Sequence, residues 1–283
     1  MPPAPSIPAD RATAVVHPED YRFLQDYVYR ESGIVLDGDK RYLIEARLMP
    51  IVQQRQLGTL NDLCNLLRAT MDAPLKRQVV EAMTTNETFF FRDTAQYDTL
   101  RSVILPELIA LRQDTRRLSI WSAAASSGQE SYSLAMMLLE MGLNNWKIQI
   151  LGTDLSTQVL DRARAGKYMQ IEVNRGLPAI YLVKYFVRDG LDWQLKEEIL
   201  RMVRFETFDL RQSMRTLGPF DVVLCRNVLI YFDLELKKRI LHEIRGTLFR
   251  GGYLLLGGSE STLNLTDEFE RKSFGQAVVH QVP

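Results

Sequence analysis

The sequence predicts an α/β fold: a doubly wound parallel sheet with a small antiparallel β subdomain inserted in it, preceded by an N-terminal helical domain. Three observations predict it. Strand-like and helix-like segments alternate from about residue 118 onward, the pattern of a parallel sheet with helices on both faces. The first third repeats its apolar residues at helical spacing. Asp189-Gly190 sits between two strand-like runs, a strong hairpin signal.

Each element has a local reason. The start, MPPAPSIPAD, reads as a disordered proline-rich tail over 1–16. His17-Pro18-Glu19-Asp20 opens a helix, with proline near its first position and acids in its first turn. Phe23, Leu24, Tyr27 and Val28 line its inner face, and Gly33 stops it. A second helix is expected from about Asp39 to Gln56, with Leu43, Leu48, Ile51 and Val52 inward. Thr59 caps a third through Leu67, and Asp72-Ala73-Pro74 opens a fourth that ends near Met83. These four form a helical domain over 17–84.

The second domain is expected over 85–283. A helix from Ala95 to Leu111, with Pro106 as a kink, leads into it. Strands follow at Leu118 to Ala123, Trp146 to Gly152, Val203 to Phe208, Phe220 to Cys225 and Gly252 to Leu256. Helices lie at Ser131 to Met141, from Ser156 to Ala165, and from Leu234 to Phe249. Phe269 to Val282 reads as a final strand pair. The inserted subdomain is expected at about 170–206, its hairpin joined by a third antiparallel strand from Ile199 to Phe205.

Composition excludes several classes. Thirty-five bases balance 35 acids over 283 residues, so no global field draws nucleic acid or an anionic membrane. No apolar run approaches the ~18 residues of a membrane span, and the N-terminus lacks the parts of a secretory signal. A cytoplasmic protein is expected. Cys64 and Cys225 form no CxxC pair, and the three histidines are scattered, so no metal site is expected.

Ligands of open α/β sheets bind at the carboxyl ends of the strands, and four such ends are polar. Ser122 to Glu130 is a small-residue loop entering a helix. It reads either as an ordinary turn or as a backbone cradle, and it lacks GxGxxG. Asp154 ends the next strand, where a carboxylate accepts either a ribose diol or the next helix's N–H groups. Asp209-Leu210 offers an acid and an apolar face to an adenine, or is a solvated loop. In Cys225-Arg226-Asn227-Val228-Leu229-Ile230-Tyr231, Arg226 and Asn227 follow a buried strand, costly unless paired; Tyr231 is either core or a polar handle. Thr84 to Asp93 puts polar residues before Phe89-Phe90-Phe91-Arg92. It reads as a pocket at the domain junction or as a linker with a surface arginine.

Four of these segments, TTNETFFFRD, IWSAAASSGQESYSLAM, ILGTDLSTQVLDRARAGKY and FDVVLCRNVLIYFD, occur together in the order and spacing of one family. They resemble the CheR-type chemoreceptor glutamate O-methyltransferases, and the likeness covers roughly residues 20 to 280. The resemblance implies a class I methyltransferase (Rossmann-like) fold and S-adenosylmethionine as cofactor, with S-adenosylhomocysteine as product. The implied reaction is methyl esterification of glutamates on the cytoplasmic methylation helices of chemoreceptors, for chemotactic adaptation. By motif matching it assigns cofactor binding to Asn86, Thr88, Arg92, Glu130, Asp154, Asp209, Leu210, Arg226 and Asn227, and catalytic roles to Arg92 and Tyr231. It leaves room for a regulatory protein partner, and implies recruitment to membrane-bound receptor arrays without insertion. Gln129 and Ser131 depart mildly from the family's usual residues. The tight Asp189-Gly190 turn argues against docking of a receptor's C-terminal tether peptide there.

An acidic target helix calls for a basic surface. Residues 1–39 carry three bases against seven acids, whereas 40–85 carry seven bases against four acids. Lys40, Arg41, Arg47 and Arg55 share the second helix. Arg47 and Arg55 are therefore the candidate substrate-binding residues, the alternative being a solvated helix face. Two other functions stay in view: methylation of RNA or a small molecule, and a non-catalytic sensor of S-adenosylmethionine. Neutral charge speaks against RNA, and an intact Arg92, Asn227 and Tyr231 against a sensor.

Overall fold

The structure, a computed structural model, describes residues 16–283. The expected tail therefore lies outside the described residues, apart from Val16, which is buried. The chain divides between Thr84 and Thr85 into two compact units.

Among its described residues the first unit holds four helices, α1 (Pro18–Ser32), α2 (Arg41–Gln54), α3 (Leu60–Ala69) and α4 (Ala73–Met83). Their ends follow from sequence. Gly33 takes φ 75° and donates its N–H to the Tyr29 carbonyl, closing α1. Thr59 and Asp62 exchange hydrogen bonds at the start of α3, and Asp72 accepts the Leu75 N–H at 3.0 Å to start α4. Leu24, Tyr27, Val28, Ile44, Leu48, Leu63, Leu75 and Val79 form the buried core. Ile44 replaces the expected Leu43 on the inner face of α2, because positions 44, 48, 51 and 52 make the continuous helical stripe.

The second unit begins with α5 (Thr94–Thr99) and α6 (Leu105–Leu111), joined through a π-helical turn at Leu100–Ile104. Pro106 has no N–H to continue the ladder, and Leu105 reaches back to the Leu100 carbonyl. Then come β1 (Arg117–Ser122), α7 (Gln129–Glu140), β2 (Lys147–Asp154), α8 (Thr157–Ala165), β3 (Lys167–Met169), α9 (Gln170–Val173), α10 (Ala179–Tyr185), β4 (Phe186–Asp189), β5 (Asp192–Leu195) and α11 (Glu197–Leu200). The chain finishes with β6 (Val203–Thr207), β7 (Phe220–Cys225), α12 (Leu234–Thr247), β8 (Leu248–Leu256), β9 (Glu270–Phe274) and β10 (Ala277–Gln281).

Seven strands form one sheet in the order β6-β2-β1-β7-β8-β10-β9. The first five are parallel and the last two antiparallel. The order reverses across β1 and β7, the switch point where such sheets bind ligands. One face, carrying Leu118, Ile120, Ile150, Phe205, Val222 and Leu224, packs into a buried cluster with Tyr132, Leu134 and Leu160 from α7 and α8. On the other, Trp121 stacks on Phe220.

The small sheet differs from expectation. Its order is β3-β5-β4, so the third strand is Lys167–Met169. The segment expected to supply it forms β6 and joins the large sheet, parallel to β2. Phe205 explains the choice. It pairs with Gly152 across the two strands, and a Cβ on Gly152 would lie 2.5 Å from its ring. Bare backbone on β2 therefore makes the seat for a buried aromatic on β6. The inserted β structure accordingly lies within 167–195.

Candidate active site

The loops after β1, β2, β6 and β7 all leave the carboxyl ends of adjacent strands. The first is drawn in by backbone hydrogen bonds. The Ala123 N–H reaches the Leu224 carbonyl and the Ala125 N–H reaches the Thr153 carbonyl, both at 2.8 Å. Ser126 stands at φ 49°. Its N–H donates to Asp154 Oδ2 at 2.9 Å, and its hydroxyl to the Asn86 carbonyl at 2.8 Å. Gly128, at φ 92°, has Ala163, Tyr132 and Phe205 within about 3 Å of where a Cβ would sit, so the turn into α7 accepts no side chain. Asp154 also accepts the Ser156 N–H at 3.0 Å. It is thus both the expected helix-start acceptor and a carboxylate at the strand end.

Arg226 is the most constrained residue of the site. Its side chain is 2% exposed. One terminal nitrogen donates to Glu130 Oε2 at 2.8 Å, and the other to Asp93 Oδ2 and the Arg92 carbonyl, each at 2.7 Å. Burial works against the guanidinium's charge, but Glu130, Tyr97 and Asp93 outweigh it and hold its pKa above the usual value. Ser122 completes the cluster by donating to Glu130 Oε1 at 2.8 Å. The sequence argument that Arg226 needs partners is met, and those partners are the protein's own. Arg226 therefore positions Glu130 and the Arg92–Asp93 turn.

Arg92 itself is half-buried. It donates to the Glu87 carbonyl at 3.2 Å and lies 5.5 Å from the Phe89 ring centre. Arg175 shares that ring at 4.3 Å and pairs with Glu87 at 2.6 Å. The pairing holds the Glu87 carboxyl below the usual range. Thr88 is half-buried beside them in sequence. Asp209 accepts three hydrogen bonds from the Arg211 guanidinium, at 3.0, 2.9 and 2.6 Å, and a fourth from its N–H at 2.9 Å. Leu210 beside it is buried. Tyr231 ends a single 3-10 turn, Leu229–Tyr231, and is half-buried.

Glu260 was not singled out by the sequence. Its Oε2 accepts the N–H groups of Asn227 and Gly257, each at 2.7 Å, and Oε1 accepts that of Ile230 at 3.3 Å. One carboxylate thereby holds Asn227 at φ 57°, a left-handed conformation that asparagine tolerates better than most. Gly257 lies so close to Asn227 that a Cβ would fall 2.5 Å from its side-chain nitrogen. The signal was a Gly-Gly-Ser-Glu run after another strand end, which reads equally as a loop. Cys225, beneath this loop, is fully buried, and burial pushes its thiol well above the ordinary pKa. It is therefore a neutral core residue.

The family "CheR methyltransferase, SAM binding domain" matches residues 86–278, and "CheR methyltransferase, all-alpha domain" matches 19–84. The chain belongs to the CheR methyltransferase family. Chemotaxis protein methyltransferase 1 of Pseudomonas aeruginosa is 41% identical over 268 residues, covering 93% of this chain and 97% of the relative. Chemotaxis protein methyltransferase Cher2 of Pseudomonas putida is 38% identical over the same coverage, and the chemotaxis protein methyltransferase of Vibrio parahaemolyticus 39% over 271 residues, with 93% and 97% covered.

S-adenosylmethionine is the cofactor of this CheR domain, and the donor set suits it. A carboxylate at the end of β2, an acid and a buried leucine after β6, and a small-residue turn into α7 stand on neighbouring strands at the switch point. Among the described residues, no group of His, Cys, Asp and Glu could hold a metal ion. No described helix is long and apolar enough to cross a membrane.

The candidate substrate residues Arg47 and Arg55 belong to the first unit, and both have partners there. Arg47 donates to the Met83 and Thr84 carbonyls, at 2.7 and 3.0 Å, closing the end of α4. Arg55 pairs with Asp72 at 3.0 Å and reaches Gln78 at 3.2 Å. These two cations thus tie α2 to α4.

Proposed function

We propose that this CheR-family enzyme methylates glutamate side chains on the cytoplasmic helices of chemoreceptors, working as a cytoplasmic protein recruited to receptor arrays. The reading is carried by one observation: a buried Arg226 joins the Arg92–Asp93 turn to Glu130, inside a domain matched over 86–278 to the CheR methyltransferases.

When bound, the cofactor supplies a methyl group already activated by its sulfonium. A glutamate carboxylate, with a pKa of ~4.3, is ionised at neutral pH and needs no general base. The chain's part is to bind, orient and exclude water. Asp154 would accept the ribose hydroxyls, Leu210 would cover the adenine with Asp209 at its edge, and Asn86, Thr88 and Asn227 would line the cavity. Glu130, fixed by Arg226 and Ser122, would receive the cofactor's amino group. Arg92 would steer the incoming carboxylate by a charge-assisted contact, and Tyr231 would orient it. Positioning of this kind can supply up to ~7–11 kcal/mol of barrier lowering.

The deciding assay uses radiolabelled S-adenosylmethionine and receptor-containing membranes. Alkali-labile methyl esters support the proposal. Alkali-stable label would point to another acceptor, and tight cofactor binding without label to a sensor.

Docking of the acidic helix is assigned to α2, through Arg47 and Arg55. Charge reversal at both is expected to raise KM for receptor several-fold and to spare cofactor affinity. Because Arg47 also closes α4, the conservative Arg47→Lys and Arg55→Lys variants should keep the first unit folded by circular dichroism. Unchanged receptor kinetics in folded reversal variants would remove α2 from the interface. The tight turn between β4 and β5 argues against a tether peptide docking on that hairpin, and so leaves receptor recognition to α2.

A further inference from the structure

The opposite end of the large sheet carries a second concavity. The amino ends of β1, β2, β6 and β7 surround a cleft of about 620 Å³, within the range of small-molecule sites. Arg112, Arg117, Lys147, Arg201 and Arg204 line it, against one acid, Asp221.

The charges divide into two groups. Asp221 is buried and committed, accepting from Arg112 at 2.8 Å and from the Ser119 N–H at 2.9 Å. Arg201 and Arg204 make exposed pairs with Glu197 and Glu206, contacts worth little and easily exchanged. Arg117 and Lys147 have no carboxylate partner among the described residues. They are register partners on neighbouring parallel strands, so their side chains leave the same face from backbones ~4.8 Å apart. Like charges placed directly opposite in a sheet are destabilising, and an anion bound between them would offset that cost.

The chain keeps this place open. Every other connection between successive parallel strands of this sheet contains a helix, but 208–219, which runs from β6 to β7, contains none. On the same face of the sheet, Gln149 and Arg204 are exposed.

We propose that this cleft is a second binding site, for a phosphate-bearing small molecule of nucleotide size. Arginine forks suit phosphate oxygens bidentately, and the volume accommodates more than a lone phosphate. The site lies at the far end of the strands from the methyl-donor loops and does not depend on which acceptor is methylated.

Calorimetry on the full-length protein at low salt, with ATP and with inorganic triphosphate as probes, tests it. One equivalent is expected to bind, equally well with saturating S-adenosylhomocysteine present, and about tenfold more weakly to the Arg117→Gln/Lys147→Gln variant. Equal binding of both probes identifies phosphate recognition alone; ATP binding without triphosphate binding adds the nucleoside. The single variants, at exposed strand ends, give the same reading if the double variant fails to fold. Absence of heat from both probes at about 1 mM, displacement by S-adenosylhomocysteine, or unaltered affinity in the folded variants would overturn the proposal.

Discussion

At the scale of single residues, the site depends on charges that serve other protein groups. Removing Arg226 leaves Glu130 and Asp93 without their cation. Breaking such a buried pair costs ~3–5 kcal/mol. The lower end applies, because the Asp93 side chain is 42% exposed. Arg226→Met is therefore expected to lower the unfolding free energy by about 3 kcal/mol in urea melts and to weaken cofactor binding. Glu260→Gln keeps the shape but turns an amide N–H₂ toward backbone donors. A loss of ~1–3 kcal/mol, with a reduced kcat from the displaced Asn227 loop, is the expected result; unchanged turnover would confine Glu260 to a structural role. Sequence could identify Arg226, because a charge after an apolar strand demands a partner. It could not identify Glu260, because acceptance of backbone N–H groups leaves no mark on residue type. Nor could it show that Arg47 closes α4, since a cation on an amphipathic helix looks the same whether it faces water or a carbonyl.

At the scale of elements, the alternation of strands and helices was legible because apolar runs, caps and glycines agree with one another. The four N-terminal helices and the strands from β1 to β10 follow those signals closely. The exceptions are β3, where no strand was expected, and β6. Val203–Thr207 is short, with outward Arg204 and Glu206, so nothing local distinguishes an edge strand of the large sheet from a third strand of the hairpin. The decision rests on Phe205 meeting Gly152, a contact 53 positions apart in the chain. Gly152→Ala tests that account. Its methyl would overlap a buried ring, an overpacking cost of ~1–3 kcal/mol. A fall of a few degrees in melting temperature follows, and Phe205→Leu in the same chain should recover part of it. An unchanged melting temperature would show that the ring is not the determinant of the register.

At the scale of the whole molecule, pH acts through a residue far from the chemistry. His280 on β10 is buried, and burial, helped by the nearby Arg271, holds its imidazole below the ordinary 6.5. The folded chain thus resists a proton that the unfolded chain accepts. Its stabilising contribution is fully present above about pH 6.5 and is lost as pH falls toward the depressed value. Urea midpoints should decline through that window, and His280→Gln should flatten the decline. A further consequence follows from the position of β1 inside the sheet, between β2 and β7. Its two neighbours arrive at very different times. β2 follows after one helix, but β7 comes only after the inserted sheet, and the link from the Ser119 N–H to Asp221 spans 102 residues. Closing so long a loop precedes the reward of pairing, which slows folding. During synthesis the ribosome must therefore release most of the chain before β1 gains its second edge. Until then an apolar strand stands half-paired, which makes the nascent domain a natural client for chaperones.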